Sequence, residues 1–488
     1  MMEATTMNTP MLKTLFLQAP SFDGFDGGAG SRYQAKREIR SFWYPTWLAQ
    51  PAALVPGSRL LDAPADGLTV EQTLEIARDY ELVVIHTSTP SFPSDARFAE
   101  LLKERNPSAM AGMVGAKVAV DPDGSLRASR AIDFVAREEF DYTCRDIAEG
   151  RTLAEIAGIS WRSKDSDAIH HNPARPMIED MDELPFVAPV YRRDLNLRNY
   201  FIGYLNYPYV SLYTGRGCRS RCTFCLWPQT VGGHRYRTRS AANVLAEVRW
   251  IRENMPEVKE IMFDDDTFTD FRPRAEEIAR GLGELGVTWS CNAKANVPYS
   301  TLKVMKDNGL RLLLVGFESG DDQILLNIKK GLRTDIARRF AADCRALGIT
   351  VHGTFILGLP GETRETIAKS IAFAKEINPH TIQVSLAAPY PGTRLYEQAL
   401  ENDWIPPNKV INLVNESGVQ LAAISYPHLS SEEIYHGVEQ FYRSFYFRPT
   451  KIWEIVAEML GSWEMTRRRL REGVEFFHFL RAHGASHS

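Results

Sequence analysis

A chain of 488 residues exceeds one ordinary domain, and 44% hydrophobic with 24% charged residues fits a globular protein with a sizeable core. The net charge of −4 supplies no electrostatic footprint for nucleic acid, and no apolar run approaches the roughly 18 residues of a membrane span. Six cysteines over this length make no disulfide framework, so a reducing cytoplasm is the expected compartment. The opening MMEATTMNTP has neither the basic start nor the apolar stretch of a secretory signal and reads as a disordered tail.

Residues 11–160 alternate apolar runs with amphipathic ones. LKTLFLQAP (12–20), SRLLDAP (58–64), ELVVIHTS (81–88) and AMAGMVG (109–115) predict buried parallel strands. LTVEQTLEIARDY (68–80) and SDARFAELLKER (94–105) predict the intervening helices, with Thr69 and Ser94 as caps. The order implies a Rossmann-like α/β domain that binds ligands at the carboxyl ends of its strands. Residues 161–205 are polar and proline-bearing and predict an extended surface linker anchored by Leu184, Phe186 and Val190, with His170 and His171 solvated.

A second alternation fills residues 206–400. Its predicted strands are YVSLYT (209–214), KEIMFD (259–264), VTWSCNA (287–293), LRLLLVGF (310–317), ITVHGTFIL (349–357) and TIQVSLA (381–387). Six β/α units imply an open partial barrel with its chemistry at the strands' carboxyl ends. Residues 401–488 predict a helical region whose aromatics recur at helical spacing beside Arg467, Arg468, Arg469 and Arg471. That pattern suits a helical lid, or an apolar surface with arginines facing anionic headgroups in a peripheral membrane contact. Cys144, Cys291 and Cys344 fall on helix or strand patterns and read as small core residues.

The other three cysteines crowd into GRGCRSRCTFC (215–225), directly after the first predicted barrel strand. Zinc normally takes four ligands in paired knuckles, and no second knuckle follows. A redox pair needs two thiols. Cys218, Cys222 and Cys225 match an iron–sulfur cubane in which three irons carry thiolates and the fourth stays open to a chelating molecule.

This C-x3-C-x-aromatic-C spacing, with Phe224 as the aromatic, resembles the signature of the radical S-adenosylmethionine (SAM) superfamily. FDDDTFTD (263–270), GFESG (316–320), FILGLPGET (355–363) and PYPGTRLYE (389–397) resemble its later strand-end segments. The resemblance implies a 4Fe-4S cluster that reductively cleaves SAM to a 5′-deoxyadenosyl radical, with a donor such as flavodoxin or ferredoxin. It also implies that Asp265 meets the SAM amino group and that Glu318 lies near the ribose and methionine. Lys294 stands where the resembled branch carries arginine, which keeps the charge but loses the bidentate fork.

A Rossmann-like domain ahead of such a barrel resembles the cobalamin-binding subclass, which makes cobalamin a third implied cofactor. The D-x-H-x-x-G motif that ligates cobalt is absent, and His86, the one histidine of residues 11–160, reads as a strand cap. Either a His-off corrinoid or a retained scaffold follows. The stretches 15–35, 39–54 and 222–240 further resemble the hopanoid-associated radical SAM family called HpnJ. That resemblance implies a hopanoid lipid substrate, bacteriohopanetetrol glucosamine, whose sugar contracts to a cyclitol ether. The alternatives are a cobalamin-dependent radical SAM methyltransferase on another substrate, and a non-catalytic cluster- or cobalamin-binding protein. No residue identifies a general acid or base for the sugar.

Overall fold

Residues 11–22, 41–405, 412–415, 418–461, 466–467, 469–476 and 478 are described by the computed structural model; 23–40 and Arg468 lie outside them. The chain divides into two compact units. One takes in the first strand, Pro45–Asn199 and Thr230–Gly232; the other takes in Tyr200–Gln229 and the chain from Gly233 on, with the piece ending at Tyr44.

In the first unit, β1 (Thr14–Gln18), β2 (Arg59–Asp62), β3 (Leu82–His86), β4 (Met110–Val114) and β5 (Phe134–Ala136) form a parallel sheet in the order β2-β1-β3-β4-β5. Every residue of β1 and β3 is buried, as the continuous apolar runs require of strands covered on both faces. Thr69 caps the helix Val70–Ala77 in a reciprocal box with Gln72. Ser94, expected to cap the next helix, lies inside it: Pro93 is tolerated in a first turn, so the helix Phe92–Arg105 starts earlier.

The stretch expected to be a linker is in part sheet. β6 (Ile159–Arg162) and β7 (Ile169–His171) continue the sheet antiparallel beyond β5. The next segment is fastened to the same unit, for Arg175 pairs with buried Asp146 and the Tyr191 hydroxyl lies 2.7 Å from Thr46 Oγ1. An edge hairpin with a wet face keeps polar composition, which hides its alternation. Leu184 and Val190 are buried, Phe186 half-buried, and His170 and His171 exposed.

In the second unit, β8 (Tyr209–Leu212) is followed by the two-residue strands β9 (Gly215–Arg216) and β10 (Arg237–Thr238), which pair with each other. β11 (Glu260–Phe263), β12 (Trp289–Ala293), β13 (Leu310–Glu318), β14 (Thr350–Leu357) and β15 (Thr381–Leu386) join β8 in an all-parallel open sheet, in the order β8-β11-β12-β13-β14-β15. All six predicted barrel strands are present. An open sheet leaves two edges with unpaired peptide groups. Tyrosine hydroxyls cover part of both. Tyr44 donates to Tyr209 O at 2.8 Å on β8. On β15 the Tyr442 and Tyr446 hydroxyls accept from Val384 N at 2.8 Å and Ile382 N at 2.9 Å, and Gln420 brackets Leu386 with two bonds.

Those two tyrosines project from the helix Ser431–Tyr446, whose Ile434, Val438, Phe441 and Phe445 form one buried face. The helix Pro449–Gly461 instead exposes Ile452, Trp453, Val456 and Leu460. The arginines beyond it are not a uniform basic face. Arg469 is held by Glu458 at 2.6 Å and Glu472 at 2.8 Å; Arg471 lies over the Phe201 ring, 3.8 Å from Glu475; Arg467 is exposed. Glutamates at helical spacing consume the charges. Among the described residues no helix is long and apolar enough to cross a membrane.

Tyr442 is fully buried, so Tyr442→Phe strands the Val384 amide without a partner. The expected cost is about 1–3 kcal/mol in anaerobic denaturant unfolding, with an unchanged m value.

Candidate functional site

The cysteine loop leaves the sheet after β8, and the β9–β10 ladder closes it at its base, pairing Gly215 with Thr238 and Arg216 with Arg237. A Cβ at Gly215 would meet Arg237 O at 2.7 Å, so glycine is what lets the two strands approach. Polar side chains then tie down the loop's own backbone. Gln229 Nε2 donates to Cys225 O at 2.6 Å and to Cys222 O at 3.3 Å, and His234 Nδ1 lies 2.9 Å from Ser220 O. Leu395 N donates to Thr223 O at 2.9 Å and Arg394 N to Gln229 Oε1 at 2.9 Å, so the PYPGTRL segment holds the loop through a helix N-terminus. Cys218 and Cys222 are buried; Cys225 and Phe224 are half-buried beside them.

Asp265 sits beneath this loop rather than on its surface. Its carboxylate accepts from Thr214 N, Thr214 Oγ1 and Tyr236 OH, each at 2.6 Å, and the residue is fully buried. Burial pushes its carboxyl up, opposed by the Arg274 guanidinium and those hydrogen bonds. Three internal donors fill three of the roughly four lone-pair sites of this carboxylate, so the contact expected with an amino group of SAM is left one site. β11 ends at Phe263, and of the three aspartates that follow, Asp266 is the half-exposed one whose charge raises the Cys225 thiol.

Glu318 ends β13 in the left-handed region, at φ +64, and pairs with Lys330 at 2.6 Å. A Cβ at Gly316 would stand 2.2 Å from Glu318 Oε1 and 2.8 Å from Lys330 Nζ, so GFESG makes room for an ion pair. Burial works against the Lys330 ammonium, but Glu318 and the Cys222 and Cys225 thiols outweigh it and hold it above the ordinary lysine value. Lys294, the residue in the arginine position, pairs with Asp270 at 2.9 Å and also faces Cys222. Lys330, Gln229, His234 and Tyr236 carry no sequence signal of their own; each becomes visible only through its partner.

Burial raises the Cys222 thiol, and it raises the Cys225 thiol further with help from Asp266 and the neighbouring cysteines. Such thiols stay protonated unless a metal replaces the proton. Among the described residues no three Cys, His, Asp or Glu side chains converge on a single ion. The thiolates of a cubane bind separate irons and have no need to. The donor set therefore suits a cluster: three thiols on a clamped loop, with Lys330 and Lys294 to offset thiolate charge.

The first unit offers a second candidate site. Its strand order reverses between β1 and β3, which opens a crevice at their carboxyl ends. At the end of the adjacent β4, Gly115 holds φ +122, and a Cβ there would stand 2.2 Å from Thr87 O. Glycine is therefore what lets the end of β4 lie against the end of β3.

Fold and site together define an α/β protein with a thiol-bearing loop at the carboxyl end of an open parallel sheet and a separate doubly wound unit. The family model described as the radical SAM superfamily matches residues 212–374. An uncharacterized methyltransferase of Pyrococcus horikoshii is 30% identical over 438 residues, covering 87% of this chain and 93% of the relative. The anaerobic magnesium-protoporphyrin IX monomethyl ester cyclase of Rubrivivax gelatinosus is 24% identical over 74% of this chain and 67% of its own length. Among solved structures, the cobalamin-dependent S-adenosylmethionine radical enzyme OxsB, with aqua-cobalamin and S-adenosylmethionine bound, shares the fold at a TM-score of 0.69 and 15% identity, over 95% of this chain and 72% of that one. The chain belongs to the radical SAM superfamily, whose members use a 4Fe-4S cluster and SAM.

Replacing any one of Cys218, Cys222 or Cys225 by Ala is expected to abolish the visible charge-transfer absorbance of anaerobically reconstituted protein and most of its bound iron. The GLPGET segment yields a separate expectation. Burial pushes the Glu362 carboxyl up to about 8 from an ordinary 4.5, although the Gly358 and Leu359 amides pull it down. Between those two values the folded chain holds a proton that the unfolded chain releases, so this residue lowers stability as pH rises from about 4.5 to about 8. Denaturant midpoints of Glu362→Gln measured across that window should decline less than those of the wild type.

Proposed function

We propose that the chain is a cobalamin-dependent radical SAM enzyme that transfers a methyl group to a carbon lacking an activated C–H bond. The observation that carries this reading is the pairing, in one chain, of a clamped three-thiol loop with a doubly wound unit whose strand order reverses between β1 and β3. The relative matched over 93% of its length bears the name methyltransferase, which supports methyl transfer over the hopanoid chemistry expected from the sequence. Cluster and SAM, when bound, supply a carbon-centred radical, and cobalamin supplies a methyl carrier.

The rest is the work of this chain's residues. Cys218, Cys222 and Cys225 hold the cluster, while Gln229 and His234 keep the loop carbonyls turned away from it. Lys330 balances thiolate charge and pairs with Glu318, whose carboxylate can accept from the hydroxyls or amine of bound SAM. Asp265 fixes the loop from beneath, and half-exposed Asp266 lies close enough to Cys225 for its charge to act on the thiol. Phe224 lies between two of these cysteines in the chain and is half-buried.

A second reading, contraction of the sugar of bacteriohopanetetrol glucosamine to a cyclitol ether, draws on a different observation. The stripe Ile452, Trp453, Val456 and Leu460 is exposed and suits a lipid-like substrate, and one relative with extensive overlap is named a cyclase. Anaerobic incubation of reconstituted protein with SAM, methylcobalamin, flavodoxin or dithionite, and the hopanoid glucosamine separates the two. A product heavier by one methylene, with two SAM consumed per turnover, supports methyl transfer. An isobaric or dehydrated product supports ring contraction. Protein that carries the cluster yet releases no 5′-deoxyadenosine overturns both.

A further inference from the structure

His86 is the last residue of β3, one of the two strands that flank the switch-point crevice of the first unit. It is 8% exposed, and among the described residues no hydrogen bond, ion pair or ring contact engages its imidazole. It therefore does not cap its strand, as its sequence position suggested. Burial lowers its pKa to about 4, so near neutral pH the ring is uncharged and carries one N–H donor and one lone pair. An imidazole with no partner inside the protein is open to an outside donor or acceptor. Nε2 lies 3.5 Å from the point where a Cβ would stand at Gly115, whose own conformation excludes any side chain. Imidazole and bare backbone thus adjoin at the carboxyl ends of β3 and β4.

We propose that His86 is a cofactor-contacting residue, whose neutral imidazole hydrogen-bonds the amide or phosphate periphery of the corrinoid assigned above to this unit, without ligating cobalt. The proposal rests on the cobalamin reading. A periphery contact follows from placement. His86 belongs to a strand packed between two others, and its ring lies alongside the neighbouring strand end. Amide and phosphate groups at the rim of a corrinoid offer both donors and acceptors, which a neutral imidazole matches in either tautomer.

The test uses full-length protein with its cluster reconstituted and cobalamin added. Equilibrium dialysis gives the cobalamin affinity of wild type, His86→Gln and His86→Leu, and electron paramagnetic resonance of bound cob(II)alamin reports the axial ligand. His86→Leu is expected to weaken binding about tenfold, and His86→Gln, which keeps a donor and an acceptor, about threefold. Cob(II)alamin spectra should be alike in wild type and His86→Gln. Unchanged affinity in both variants overturns the contact. A nitrogen superhyperfine splitting present in wild type and lost in His86→Gln overturns the periphery assignment and makes His86 a cobalt ligand. Wild-type protein that holds its cluster but binds no corrinoid overturns the cobalamin reading itself. Should His86→Leu fail to fold, judged by circular dichroism, the near-isosteric His86→Gln carries the test alone.

Discussion

The cysteine loop departs from its sheet at Thr214 and returns at Tyr236, and both ends hydrogen-bond one carboxylate, that of Asp265. A buried carboxylate is costly unless it is hydrogen-bonded, and three donors at 2.6 Å fill three of its roughly four lone-pair sites. Arg274 completes the knot from the other polarity: its guanidinium donates to Arg239 O at 2.7 Å and to Thr214 O at 2.8 Å. The anion gathers N–H and O–H groups while the cation gathers carbonyls, and both act on the same two chain ends. Removing either ion would leave the other buried and unpaired, so the knot behaves as a unit. Everything above it inherits this rigidity.

What the knot protects is the freedom of the thiols. Gln229 and His234 occupy carbonyls of the loop, Thr223 is held on both its amide and its carbonyl, and the ladder of β9 and β10 takes up the base. The sulfur atoms keep only long contacts of their own, Cys218 Sγ with Thr267 Oγ1 and Cys222 Sγ with Lys329 O, each at 3.8 Å. Charges around them are arranged in pairs, Lys330 with Glu318 and Lys294 with Asp270, and each pair places an ammonium where the thiols feel it. In a low-dielectric pocket this matters more than at a surface, since the cost of three adjacent thiolates rises as water is excluded. Glycine at 316 belongs to the same device, for without it the Glu318–Lys330 pair has no space.

The strands were legible because buried parallel strands read as unbroken apolar runs, and the six barrel strands follow from that pattern alone. The cysteines were legible because a ligand triad is local in sequence. The knot was not: Thr214, Tyr236, Arg239, Asp265 and Arg274 span some sixty residues, and none is unusual for its segment. FDDDTFTD marks the right strand end, yet periodicity cannot assign roles within a run of three aspartates once the strand has stopped at Phe263. Lys330 follows an unremarkable NIKKG, and only the return of the chain beside Cys222 makes it notable. The hairpin at 159–171 escaped for the opposite reason, since its exposed face dilutes the apolar signal that identifies its neighbours.

An open sheet and a closed barrel solve different problems. Closure removes edges, but in an eight-stranded barrel the interior is filled by side chains, leaving a packed core rather than a chamber. Six strands left open keep width at the carboxyl end and pay with two exposed edges, and this chain answers the edges with side-chain hydroxyls and one glutamine instead of further strands. Hydroxyl capping satisfies peptide groups without extending the ladder, so it seals the sheet without narrowing it. Methyl transfer and ring contraction both begin when a radical meets the substrate and differ only in what the substrate radical encounters next. The cluster loop, which is common to both, therefore cannot decide between them; the deciding groups are those that line the path of the substrate and those that hold a methyl carrier in reach.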